Sequence, residues 1–141
     1  MRMLTNFPLM ALALIAYNGL AFGLGAVTDI EAGTGWAAES FTIAMVSGAR
    51  WSLTMGDIML AFGLGLLFFE VLKATRIGRL SIVDHMLSTL VLLVFLVEFL
   101  LVPQAATSVF FLLMLMTLVD VMAGFSVSIR SATRDVSLGG D

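Results

Sequence analysis

Residues 8–27 read PLMALALIAYNGLAFGLGAV, twenty in a row without a charge. A helix that crosses a bilayer needs about 20 mostly apolar residues. This run therefore predicts a transmembrane span. Asn6 can cap it, and Pro8 sits near the first turn, where a missing N–H costs little. A secretory signal would carry a shorter apolar core of about 7–15 residues, so the run is read as a retained span.

Working outward, three more runs have the same character: residues 51–72, 82–102 and 105–129. Each is interrupted only by isolated ionisable residues. None alternates over ~10 residues, as a β-barrel strand would. Composition agrees. The chain has 141 residues, enough for one domain, with 60% hydrophobic and 12% charged; its mean hydropathy is +1.09. A small soluble fold has no interior large enough for so much apolar surface. The expected fold class is all-α: a polytopic membrane protein with four transmembrane helices in an antiparallel bundle. Residues 1–141 form one domain, with an outer loop at 28–50 and a flexible tail at 135–141.

The basic residues give the threading. Arg2 precedes span one, Lys73, Arg76 and Arg79 separate spans two and three, and Arg130 and Arg134 follow span four. The loop after span one carries Asp29, Glu31 and Glu39 against Arg50 alone, and Pro103-Gln104 has no charge. Alternate connections are basic, so the positive-inside rule puts both termini in the cytoplasm of a bacterial-type inner membrane. The segment from Trp36 to Val46 is too short to span. It is read as a short interfacial helix, with Trp36 and Trp51 as anchors.

The hexapeptide Leu20–Gly25, LAFGLG, returns as Leu60–Gly65. The flanks do not match, which argues against a duplication. Packing accounts for it better. Lipid tails are as apolar as leucine, so membrane helices meet where small residues four apart let backbones approach. Gly19 with Gly23, Ala21 with Gly25, and Ala61 with Gly65 have that spacing. They predict that spans one and two meet as a hairpin, or that one of these faces meets another copy of the chain.

Ionisable groups in a span need a partner, water or a proton. Asp57, Glu98, Asp120, Asp84 and His85 are the candidates. By helical rise Asp57 and Glu98 lie ~9 Å and ~8 Å inside the outer end and Asp120 lies ~15 Å deep. Asp84 and His85 sit near the basic loop, and Glu70 lies within reach of Lys73 and Arg76. Spacings of three and four place Asp84, Ser88, Val91, Phe95 and Glu98 on one stripe of span three. Leu113, Thr117, Asp120 and Gly124 form a stripe on span four, Asp57, Ala61 and Gly65 on span two, and Asn18, Ala21 and Gly25 on span one. These faces are expected to turn inward. The acids then serve either as polar contacts between helices or as a proton or cation path.

Several functions are excluded or unsupported. The chain has no Cys and one His, which rules out thiol redox chemistry and thiolate metal sites and leaves too few ligands for a diheme cytochrome. No arginine ladder marks a voltage sensor, and no basic cluster points to nucleic acid. No metal or cofactor is expected. The expected function is non-enzymatic: a small integral membrane protein that assembles with itself or as an accessory subunit of a larger membrane complex. The alternative is an oligomeric proton or cation channel or carrier. The third reading is lipid or quinone binding at the outer interface, through Tyr17, Trp36, Trp51 and the outer acids Asp57 and Glu98.

Overall fold

A computed structural model describes residues 7–23, 35–74 and 80–138, the side chains of 80–82, 128 and 130–138 excepted. The Asn6 cap, Gly25, Arg2, Arg76, Arg79 and the far end of span one lie outside the described residues. Four helices are seen: α1 (Met10–Gly23), α2 (Met55–Ala74), α3 (Leu80–Leu101) and α4 (Ser108–Leu138). Among the described residues, α2, α3 and α4 are long and apolar enough to cross a membrane, while α1 is a shorter apolar helix. The 20 residues of α2 rise ~30 Å, the thickness of the hydrocarbon layer.

α4 is the central helix and packs along both α2 and α3; α1 lies mainly on α2 and touches the other two. Burial follows the helical period. Met10, Ala13, Tyr17 and Ala21 form the inner face of α1. Asp84, Ser88, Val91 and Phe95 are buried on α3, and Leu113, Thr117, Asp120 and Gly124 on α4, as their stripes predict. Only 22% of the α2 and α3 spans is buried. Leucine, phenylalanine and valine cover the remainder, as lipid-facing helices require.

On α2 the expected stripe is rotated. The buried positions are Gly56, Met59, Gly63, Glu70 and Ala74, while Asp57 and Ala61 are exposed and Gly65 is half-buried. The expectation took Asp57 as an interior acid, and its actual role at the helix start points it outward. Gly63 is where close approach occurs, because a Cβ there would collide with the Leu113 side chain of α4. At Gly19, Gly23 and Gly65 a Cβ would meet nothing within 4 Å. These glycines therefore do not bring α1 and α2 together within the chain.

The second correction concerns the outer loop. In place of an interfacial helix the chain forms an antiparallel hairpin of β1 (Glu39–Ala44) and β2 (Arg50–Thr54). Phe41-Thr42-Ile43 and Trp51-Ser52-Leu53-Thr54 are rich in aromatic and β-branched residues, which suit a strand better than a helix. Phe41 faces Leu53 and Ile43 faces Trp51, while Thr42 faces Ser52 with their hydroxyls 2.9 Å apart. The ribbon therefore has an apolar and a polar face. Its turn closes through Met45 N–H to Ala49 O at 2.8 Å and Gly48 N–H to Met45 O at 2.9 Å. Gly48 has φ +85°, a conformation that glycine adopts without a Cβ penalty.

The strand also moves the start of the second helix from residue 51 to Met55. At the next turn, Pro103–Ala105 forms one 3-10 turn, and the fourth helix starts at Ser108 rather than 105. Thr107 caps it, with Phe110 N–H reaching Thr107 Oγ1 at 3.2 Å. The expected flexible tail is partly helical, since α4 continues to Leu138.

Candidate functional site

Two polar sites hold the ends of the bundle. The first is at the hairpin end. Tyr17 is fully buried. Its hydroxyl donates to Gln104 O at 2.8 Å and lies 2.7 Å from Thr107 Oγ1. Its ring stacks on Trp36 with centroids 4.5 Å apart and meets Phe110 edge-on at 4.8 Å. Trp36 thereby anchors the hairpin to the bundle. Trp51 is exposed on the apolar face of the ribbon.

Asp57 belongs to the same end, in a role that the sequence reading missed. Thr54 N–H and Thr54 Oγ1 donate to Asp57 Oδ2 at 2.9 and 2.7 Å, and Asp57 N–H returns to Thr54 Oγ1 at 3.1 Å. This is a capping box spelled Thr54-Met55-Gly56-Asp57, and the spacing alone signals it. Met55 N–H and Gly56 N–H reach Ala38 O and Trp36 O at 3.0 and 2.8 Å, so the loop supplies acceptors for the first free donors of α2. Removing the box by Thr54→Ala should lower stability by about 1 kcal/mol. Chemical unfolding in micelles checks it, with Asp57→Asn expected to lose less because an amide oxygen still accepts.

Glu98, the other acid expected at this level, is half-buried. With Leu93, Val94, Val97, Leu101 and Val102 it lines an open apolar groove of about 450 Å³ along α3. The structure gives Asp57 and Glu98 separate surroundings.

The second site lies at the opposite end and joins all four helices. Lys73 Nζ is 2.8 Å from Glu70 Oε1 on its own helix and 2.9 Å from Asp84 Oδ1 on α3. It also donates to Phe7 O at 2.8 Å, just before α1. An ammonium has three donors, and three acceptors surround this one. The other Glu70 oxygen, Oε2, accepts Leu9 N–H at 2.9 Å. Glu70 is 2% exposed, so it is the centre of the network. The sequence places it only within reach of Lys73 and Arg76.

α4 brings Asp120, which is 3% exposed. Ser88, one turn beyond Asp84 on α3, is its hydrogen-bond donor, and Glu70, Lys73 and Asp84 lie within its electrostatic reach. Asp120 Oδ2 has no hydrogen-bond partner among the described residues. His85 is buried beside this group. Its ring rests on the α4 backbone at Gly124, where any Cβ would collide with Nδ1 and Cε1. Gly124 is thus the small residue that seats the imidazole.

Of the five ionisable residues singled out by sequence, the structure gathers Asp84, His85 and Asp120 and adds Glu70 and Lys73. Asp57 and Glu98 stand apart. Tyr17 turns to the α3–α4 connection. Among the described residues no group of three or more His, Cys, Asp or Glu side chains is arranged to hold a metal ion. The chemistry available to the cluster is the holding of charge and protons. No family model, curated protein or solved structure matches the chain.

Proposed function

We propose that this chain is a non-enzymatic integral membrane protein that works by assembling, with copies of itself or as an accessory subunit of a larger membrane complex. Three long apolar helices suggest a membrane protein. The alternation of basic and non-basic connections supports a bacterial-type inner membrane, four crossings and both termini in the cytoplasm.

The observation that carries the assembly reading is the open state of the small-residue faces. Gly19 and Gly23 on α1, and Ala61 and Gly65 on α2, have the four-residue spacing that lets membrane helices approach closely. Gly19, Gly23 and Ala61 are exposed, and a Cβ at any of the three glycines would meet nothing within 4 Å. Meanwhile the ion pairs at the far end tie the chain to itself. Internal packing thus leaves these faces to a neighbouring helix.

The test is the native mass of the gently extracted protein. A particle larger than one chain is expected, either a homo-oligomer or a complex with other subunits. Gly19→Leu with Gly23→Leu should shrink it without unfolding the monomer, since both side chains point into open space. A wild type that runs as a single chain, with no copurifying protein, would sink the reading.

The rival reading, a proton or cation channel or carrier, keeps only part of its predicted line. Asp84, His85 and Asp120 cluster, while Asp57 serves the α2 cap and Glu98 lines a separate groove. Lipid or quinone binding draws on that groove, where one carboxyl interrupts an apolar surface on α3.

A further inference from the structure

Among the described residues, the cluster around Lys73 has more carboxyl groups than ammonium groups. Three carboxyl groups, Glu70, Asp84 and Asp120, face one another from α2, α3 and α4 at 2%, 8% and 3% exposure. The one ammonium among them has its three donors engaged by Glu70, Asp84 and the Phe7 carbonyl. Among the described residues, Asp120 receives the Ser88 hydroxyl, and its Oδ2 has no hydrogen-bond partner. An ionised carboxylate with an empty oxygen, buried at this depth beside two other acids, is strongly disfavoured against the neutral acid. A neutral acid needs no cation.

We propose that this cluster is a one-proton binding site, that Asp120 carries the proton, and that its release loosens the anchoring of α1. The inference is independent of the assembly reading. The ligand is a proton exchanged with water, and the O–H bond on the Asp120 carboxyl is the only bond that forms or breaks. Among the described residues, the titratable and charged groups around Asp120 are Glu70 and Lys73 from α2 and Asp84 from α3, and His85 of α3 is seated one turn along α4, at Gly124.

The coupling follows from the donors of Lys73. When Asp120 gives up its proton, a third anion competes for an ammonium with no donor to spare. A carboxylate offers the ammonium a full opposite charge, whereas a backbone carbonyl offers only a dipole, so the carboxylates hold it more strongly. The acceptor that yields is therefore the neutral Phe7 carbonyl. That bond and the Glu70 to Leu9 contact secure the chain just before α1 to the bundle. Releasing the proton thus frees the start of α1 while α2, α3 and α4 stay packed.

Infrared spectroscopy of the full chain in lipid nanodiscs tests the site. A neutral-carboxyl C=O band is expected in mildly acidic buffer. It should be retained in Glu98→Gln, absent in Asp120→Asn, and lost from the wild type as pH rises. Asp120→Asn should fold in normal yield, because an amide stands in well for a neutral acid. The chain has no Cys, so Phe7→Cys gives a single spin-label position. Label mobility should rise with pH in the wild type background and stay flat with Asp120→Asn. Absence of the band, its survival in Asp120→Asn, failure of that variant to fold, or a pH-insensitive label in the wild type background would each overturn the proposal.

Discussion

Lys73→Met should be the most damaging single substitution at the α2–α3 end, lowering stability by about 3 kcal/mol. The substitution removes the ammonium and leaves Glu70 and Asp84 facing each other without it. Breaking a buried ion pair by deleting one partner costs about 3–5 kcal/mol, mostly from the charge left behind. Lys73 itself is 16% exposed, and water reaching the vacated end supports the low end of that range. Three connections fail at once, to α3, to the Glu70 carboxylate and to the chain before α1.

Reversible unfolding in mixed micelles measures the effect. The triple variant Lys73→Met, Glu70→Gln, Asp84→Asn should recover most of the loss, because it removes the stranded charges together with their partner. A loss below about 1 kcal/mol for Lys73→Met would mean that the pair acts as a solvent-screened surface bridge.

Tyr17→Ala should be comparably severe at the hairpin end, at about 3–5 kcal/mol for loss of a buried aromatic. Tyr17 is 0% exposed and holds three contacts together: the stack on Trp36, the edge contact with Phe110 and the hydroxyl bonds to Gln104 and Thr107. Tyr17→Phe separates these effects. It keeps the rings and strands the Thr107 hydroxyl, for about 1–2 kcal/mol. In a Trp51→Phe background, Trp36 fluorescence should shift toward that of an exposed indole for Tyr17→Ala and stay put for Tyr17→Phe. An unshifted Trp36 in Tyr17→Ala would show that the hairpin docks without this stack.

Helix faces were legible in the sequence wherever a polar residue truly turns inward. Asp84 and Ser88 on α3, and Thr117 and Asp120 on α4, fixed the phase of their helices, since lipid permits no other direction for them. Asp57 misled for the same reason. It was read as an interior acid, but it lies at a helix start, where the backbone N–H groups and Thr54 satisfy it. The hairpin was missed because alanines and methionines around Phe41-Thr42-Ile43 weaken the two-residue alternation in a segment too short to span. Glu70 was undervalued because proximity to Lys73 is visible in sequence while burial against Leu9, 61 positions away, is not. Gly63 and Gly124 are ordinary letters until their neighbours, Leu113 and His85, are known.

The central place of α4 bears on how the molecule is made. Ribosomes deliver a chain from its N-terminus, and segments are free to adopt structure as they emerge. Here α4, delivered after α2 and α3, is the helix on which both rest. On the proposed threading, the earlier spans enter lipid before their common support exists, and Asp84 waits there without α4 beside it. On that threading, insertion and consolidation are expected as separate events. A chain cut short after Leu101 should be inserted, yet remain an easy substrate for membrane quality-control proteases.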